Sequence, residues 1–203
     1  MNSIIDRLAK APDDIHDLAV EWPLIFLLKL PPKARIVVVG AYEGRVMELL
    51  ATAYPDYDKM LAFEPQKDKA ELALNRLYGL HGIIIETVAL HDSSGKVQLT
   101  STGSYHARVA DQGDYEVEAW DIARLNYDRP VDLLLMNVEG AEGRLLRRLW
   151  DQGKLTDGTY KRVVVQFHDD YDSFDDVYVD LDEVYNCVYD DLPRWGYWKA
   201  ADA

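Results

Sequence analysis

Two glycines and one carboxylate carry the first chemical signal in this chain. Gly40 and Gly44 bracket the loop Gly40-Ala41-Tyr42-Glu43-Gly44, between the β-branched run Ile36–Val39 and the helical spacing of Arg45–Ala53. Glycine there lets a ligand approach the backbone closely. Glu64 closes the next apolar run, Met60–Phe63. A carboxylate in that place can accept both hydroxyls of a ribose, one on each oxygen. A glycine loop after one strand and an acid after the next is how an open α/β sheet holds a nucleoside, so the pattern points to an adenine-containing cofactor.

Two cofactor classes fit such a loop. A dinucleotide wants G-x-G-x-x-G, which lets a pyrophosphate rest on the helix N-terminus. This loop lacks the middle glycine, and Glu43 would face that anion. S-adenosylmethionine carries a sulfonium and an ammonium and no phosphate, so acidic residues favour it. A nicotinamide oxidoreductase is the disfavoured rival.

Polar residues follow the later apolar runs as well. His91-Asp92 comes after Ile83–Leu90, Asn137-Val138-Glu139-Gly140 after Val131–Met136, and His168-Asp169-Asp170 after Arg162–Phe167. Ligands in open α/β sheets sit outside the carboxyl ends of the strands, where these loops converge. Gly40, Ala41, Glu43, Gly44, Glu64, Asp92 and Asn137 are the candidate cofactor residues. A catalytic role in such a cleft would call for a group that can take up a proton. His168 is the first candidate, His106 the second and Glu139 the third. His168, Asp169, Asp170 and Asp172 also have the donor types of a divalent-metal site. The whole tail is acidic, however, so a solvated surface explains them and no metal is expected.

These residues need a scaffold that brings distant loops together. Apolar runs alternate with helical spacings from Arg35 to Leu90, which predicts β-α-β-α-β and a parallel sheet. Residues 3–30 read as one or two helices stopped by Pro31-Pro32. Asp68–Tyr78 reads as a helix with Leu72, Leu74 and Leu77 on its buried side. Lys96–Thr100 and Tyr115–Ala119 read as short strands around a polar loop, Ser101–Asp114. Ala141–Trp150 is a helix with Arg144, Arg147 and Arg148 solvated. Asp176–Leu192 reads as a helix, and Trp195–Trp198 as a final edge strand. Tyr171, Tyr178, Tyr185, Trp195 and Trp198 are expected mainly as packing.

At 203 residues and 48% hydrophobic, the chain suits one domain. A net charge of −14 argues against a nucleic-acid backbone or an anionic membrane as partner. A lone Cys187 excludes an internal disulfide. No signal-peptide pattern or membrane span is visible, which predicts a cytoplasmic protein.

The segments VVGAYEG, AFEPQKDKAELALNRL, ETVALHDSSGKVQLT, YEVEAWDIARL, DLLLMNVEGAEGRLLRRL and VVVQFHD, in that order, resemble the FkbM-type methyltransferases over most of Arg35–Tyr197. The resemblance implies a class I methyltransferase fold: a mostly parallel, seven-stranded, Rossmann-like sheet with helices on both faces. Residues 1–34 would form an N-terminal helical cap and 35–203 the α/β core. It implies S-adenosylmethionine as cofactor and methylation of a hydroxyl on a saccharide or glycosylated small molecule. Gly40, Gly44 and Glu64 would hold the cofactor, with Asn137 and Glu139 beside its methionine end. The N-terminal helices and the Ser101–Asp114 loop would cover the acceptor side. The family places acids where this chain has Val38 and Asn137. That departure keeps an inactive, cofactor- or partner-binding domain as the alternative.

Overall fold

The computed structural model describes residues 4–13, 15, 22–101, 107–110, 112–168, 181–191 and 195–203. In chain order the elements are α1 (Ile4–Leu8), β1 (Arg35–Val39), α2 (Arg45–Ala53), β2 (Lys59–Phe63), α3 (Lys67–Arg76), β3 (Ile83–Glu86), β4 (Ala89–His91), β5 (Gly95–Ser101), β6 (Ala107–Ala110), β7 (Tyr115–Asp121), β8 (Leu133–Met136), α4 (Glu142–Asp151), β9 (Arg162–Gln166), β10 (Asn186–Asp191) and β11 (Trp195–Lys199). Short 3-10 turns lie at Pro23–Phe26 and Ile122–Arg124.

Uninterrupted β-branched runs have no face to give to water, and they form the middle of a seven-stranded sheet. Its order is β10-β11-β9-β8-β1-β2-β3. β1 pairs in parallel with β2 and with β8, and parallel pairing continues to β3 on one side and β9 on the other. β11 runs antiparallel to β9, and β10 antiparallel to β11. Alternate residues of β1 enter two cores. Ile36 and Val38 join α2, Leu24, Ile25 and Leu28, while Val37 and Val39 join Leu145, Leu146 and Leu149 of α4. Helices therefore cover both faces, as the fold class requires.

The chain steps outward from β1 through β2 and β3, then returns to the other side of β1 as β8. Strand order reverses between β1 and β8, and a crevice opens at such a point. Backbone bonds pin the tips around it: Gly40 and Ala41 N–H donate to Phe63 O, and Asn137 N–H to Val39 O at 2.9 Å.

A second sheet, β4-β7-β5-β6, stands beside the first. It corrects two expectations. Ile83–Leu90 is not one strand: β3 belongs to the large sheet and β4 to the small one. The Ser101–Asp114 stretch is not all loop, because Ala107–Ala110 pairs antiparallel with β5. Cross-strand pairing, invisible from either segment alone, decided both.

Other departures have similar causes. In α3 the buried side is Ala70, Ala73 and then Leu77, while Leu72 and Leu74 are about half exposed. Small residues are needed there because Gly44 packs against Ala73. Arg148 is not merely solvated; it forks onto buried Asp121 at 3.1 and 2.6 Å. The expected helix over Asp176–Leu192 is a helical turn at 181–184 followed by β10, with 171–180 outside the described residues. Trp195, Trp198 and Tyr185 are buried, as expected of packing aromatics. Among the described residues no helix is long and apolar enough to cross a membrane.

Candidate functional site

Outside the tips of β1, β2 and β8 lies a cleft of about 830 Å³, the open solvent at its mouth included. Gly40, Tyr42, Glu64, Gln66, Asn137 and Glu139 supply its polar wall. Val88, Ala89 and Leu90 after β3, Leu99 of β5, and Ala107 and Val109 of β6 supply an apolar wall. The small sheet is thus a side of the site.

Gly40 is required by its surroundings. Its φ is +88°, and a Cβ there would sit 1.8 Å from the Asn137 carbonyl oxygen. Strands β1 and β8 meet so closely at their tips that no side chain fits. Gly44 has φ +81° and lies against α3, where a Cβ would come within 3.1 Å of Ala73. It serves helix packing and is not in the cleft wall. Ala41 is buried in the core beneath.

Glu64 sits one residue past β2 and is only 5% exposed. Its Oε2 accepts the Tyr42 N–H at 2.7 Å and its Oε1 the Gln66 N–H at 2.9 Å. A carboxylate has about four acceptor positions; two are used, and one remains on each oxygen. Burial raises its pKa, against the Gln66 and Tyr42 hydrogen bonds, which lower it. Tyr42 has φ +47°, which turns its N–H onto Glu64.

Glu43 points elsewhere. It pairs with Lys69 at 3.0 Å, and Lys69 lies 4.7 Å from the centroid of the Tyr42 ring. Asp92 is also outside the cleft wall, beside His91 at 2.9 Å. Of the seven expected cofactor residues, the fold brings Gly40, Glu64 and Asn137 to the cleft and leaves Ala41, Glu43, Gly44 and Asp92 out of its lining.

At the β8 end, Asn137 Oδ1 is buried and has no partner among the described residues. Glu139 holds φ +56°, a strained region for a residue with a side chain. His168, just past β9, places Nε2 at 3.3 Å from Glu139 Oε2 and Nδ1 at 3.0 Å from Glu142 Oε1. Burial lowers the His168 pKa, but hydrogen bonds and attraction from Glu139 and Glu142 outweigh it and bring it to about 9. At neutral pH this is an imidazolium. Two carboxylates at hydrogen-bonding distance favour the protonated ring and so work against His168, the first candidate base, as a proton acceptor.

Glu142 is the residue that sequence reasoning passed over. It is 2% exposed, and it accepts the Val138 N–H at 2.8 Å and the Gly140 N–H at 3.0 Å. An acid in the first turn of a helix, six residues after the end of β8, was the available signal. His106, Asp169, Asp170 and Asp172 lie outside the described residues. Among the described residues no group of three or more His, Cys, Asp or Glu is placed to hold a metal ion. None of the described residues before Val39 lines the cleft. The described N-terminal segment fills one face of the sheet, with Arg7 bonded to the Ala53 carbonyl and Arg162 to the Leu28 carbonyl.

No family model and no curated protein sequence matches the chain. Solved structures do resemble it. An rRNA methylase from Streptococcus thermophilus aligns with TM-score 0.54 at 13% identity, over 89% of this chain and 95% of its own. The N-methyltransferase NodS from Bradyrhizobium japonicum aligns with TM-score 0.55 at 10% identity, over 93% and 97%. The Streptococcus pneumoniae protein Sp1610, solved in complex with S-adenosyl-L-methionine, aligns with TM-score 0.51 at 14% identity, over 88% and 72%. At these identities the likeness shows the fold, a class I, Rossmann-like methyltransferase fold.

Proposed function

We propose that this chain is an S-adenosylmethionine-dependent methyltransferase of the FkbM type, acting on a hydroxyl of a saccharide or glycosylated small molecule in the cytoplasm. The observation that carries the reading is Glu64: a buried carboxylate at the tip of β2, with one acceptor position left on each oxygen, opening into the cleft at the β1–β8 reversal. That geometry fits the two hydroxyls of a ribose. The apolar wall from Val88 to Leu90 suits an adenine ring, and Asn137 and Glu139 at the opposite end suit a charged amino-acid tail. No Lys, Arg or His is among the described lining residues, so the cleft favours a cation over a pyrophosphate. Bound there, the cofactor would supply an activated methyl group on a sulfonium.

The fold neighbours named as methylases and methyltransferases support the reaction class. The hydroxyl acceptor and the family rest on the segments VALHDSSGKVQL and MNVEGAE. With His168 held as a cation, His106 takes first place as candidate base. Val38 favours a second reading. It is wholly buried within β1, so the acid the family places there has no substitute at that position. A domain that binds the cofactor without turnover fits this as well.

Calorimetry of the purified protein with S-adenosylhomocysteine, with NAD as control, tests the proposal. Binding is expected with NAD silent, and Glu64→Ala weakens it by about tenfold or more. Absence of binding by folded protein overturns the reading. Cofactor turnover with a panel of hydroxyl acceptors then separates the enzyme from the non-catalytic domain.

A further inference from the structure

Three side chains, Glu139 from the β8–α4 connection, Glu142 from the start of α4 and His168 from just past β9, meet at the β8 end of the cleft. Glu142 accepts the Val138 and Gly140 N–H groups, which flank Glu139 on both sides. Its Oε1 also receives His168 Nδ1, and the other ring nitrogen turns to Glu139. Ionised carboxylates only accept hydrogen bonds, so a ring bonded to one on each nitrogen carries both protons. The clamp holds a non-glycine residue at φ +56°, a conformation that persists only where its surroundings fix it. Glu139 is itself in the cleft wall, whereas His168 and Glu142 are not. Next to it, Asn137 Oδ1 is a buried acceptor with no donor among the described residues. Glu139 and Asn137 therefore both line the β8 end of the cleft, across β1 from Glu64.

Resting on the cofactor reading above, we propose that His168 is a positioning residue: clamped as an imidazolium between Glu142 and Glu139, it holds the Glu139 carboxylate to receive the α-ammonium of the cofactor. His168 touches neither methyl group nor acceptor and moves no proton. Its charge also leaves the trio at one net negative charge, which suits one ammonium.

The test pairs two ligands with two substitutions. S-adenosylhomocysteine and its analogue lacking the α-amino group are titrated calorimetrically into wild type, His168→Gln, Glu139→Gln and the double variant. Wild type is expected to prefer the amine-bearing ligand by about tenfold or more, the worth of one charge-assisted bond. Glu139→Gln removes that preference, His168→Gln reduces it, and the double variant falls no further than Glu139→Gln. The His168 ring, read by nitrogen-15 correlation spectra at neutral pH, shows both nitrogens protonated in wild type. A retained preference in His168→Gln, an effect that adds in full to that of Glu139→Gln, or a neutral ring overturns the inference. The spectra and thermal melts of each variant separate loss of fold from loss of the contact. Failure of folded wild type to bind S-adenosylhomocysteine overturns the functional reading and this inference with it. Binding without the amine preference overturns the inference alone.

Discussion

His168 shows how neighbours fix the role of a residue. Desolvation alone would make it a neutral imidazole, but Glu139 and Glu142 bring its pKa to about 9. An unfolded histidine titrates near ~6.5. The folded protein therefore binds this proton more tightly than the unfolded chain does. The stabilisation is full below about 6.5 and is lost as the pH rises through about 9. Denaturant midpoints followed across this window are expected to fall with rising pH in wild type and to be flatter in His168→Gln. A fall of equal size in both would assign the pH dependence to other groups. Gly40 makes a sterically harder case. Gly40→Ala forces a methyl to 1.8 Å from the Asn137 carbonyl oxygen at positive φ. With backbone as the obstacle, a loss of about 3 kcal/mol or more is expected in urea unfolding, or no folded protein at all.

The small sheet gives the cleft its apolar side. β6 is that sheet's edge strand, yet Ala107 and Val109 reach the cleft wall. Val109→Asp would put a carboxylate where an adenine ring is proposed to lie. It is expected to weaken S-adenosylhomocysteine binding by about tenfold. The seven-stranded sheet has no strand in common with β6, so the unfolding midpoint should change little. A large drop in stability instead would show β6 to be part of the main core. The small sheet is tied to the body of the fold by Asp121, at the end of β7. Arg148 of α4 holds the Asp121 pKa below the usual carboxylate range, against the opposing effect of burial.

Charge sets expectations for the whole molecule. At −14 net, with two carboxylates and no cation among the described cleft-lining residues, the surface offers little to a phosphate backbone. An rRNA methylase shares the fold, so the comparison is informative. A mobility-shift assay with structured RNA at about 150 mM salt is expected to show no complex. A salt-sensitive complex would point to a basic surface hidden in the acidic total and would reopen the acceptor class.

The sequence by itself determined the central strands, the glycine at the β1 tip and the acid after β2. Those signals are local: β-branched runs that fit only a doubly covered sheet, one φ that a side chain would not permit, one carboxylate at a strand end. The segment resemblance added a mostly parallel, seven-stranded sheet with helices on both faces. The tertiary structure decided what depends on partners far apart in the chain. Ile83–Leu90 divides between two sheets because β4 finds β7. Arg148 turns from solvent onto Asp121, a buried carboxylate 27 residues before it. His168 is held between two carboxylates because Glu142, 26 residues before it, takes one ring nitrogen while Glu139 takes the other. Periodicity reports which side of an element is apolar, but a side chain's charge state depends on what the fold sets beside it.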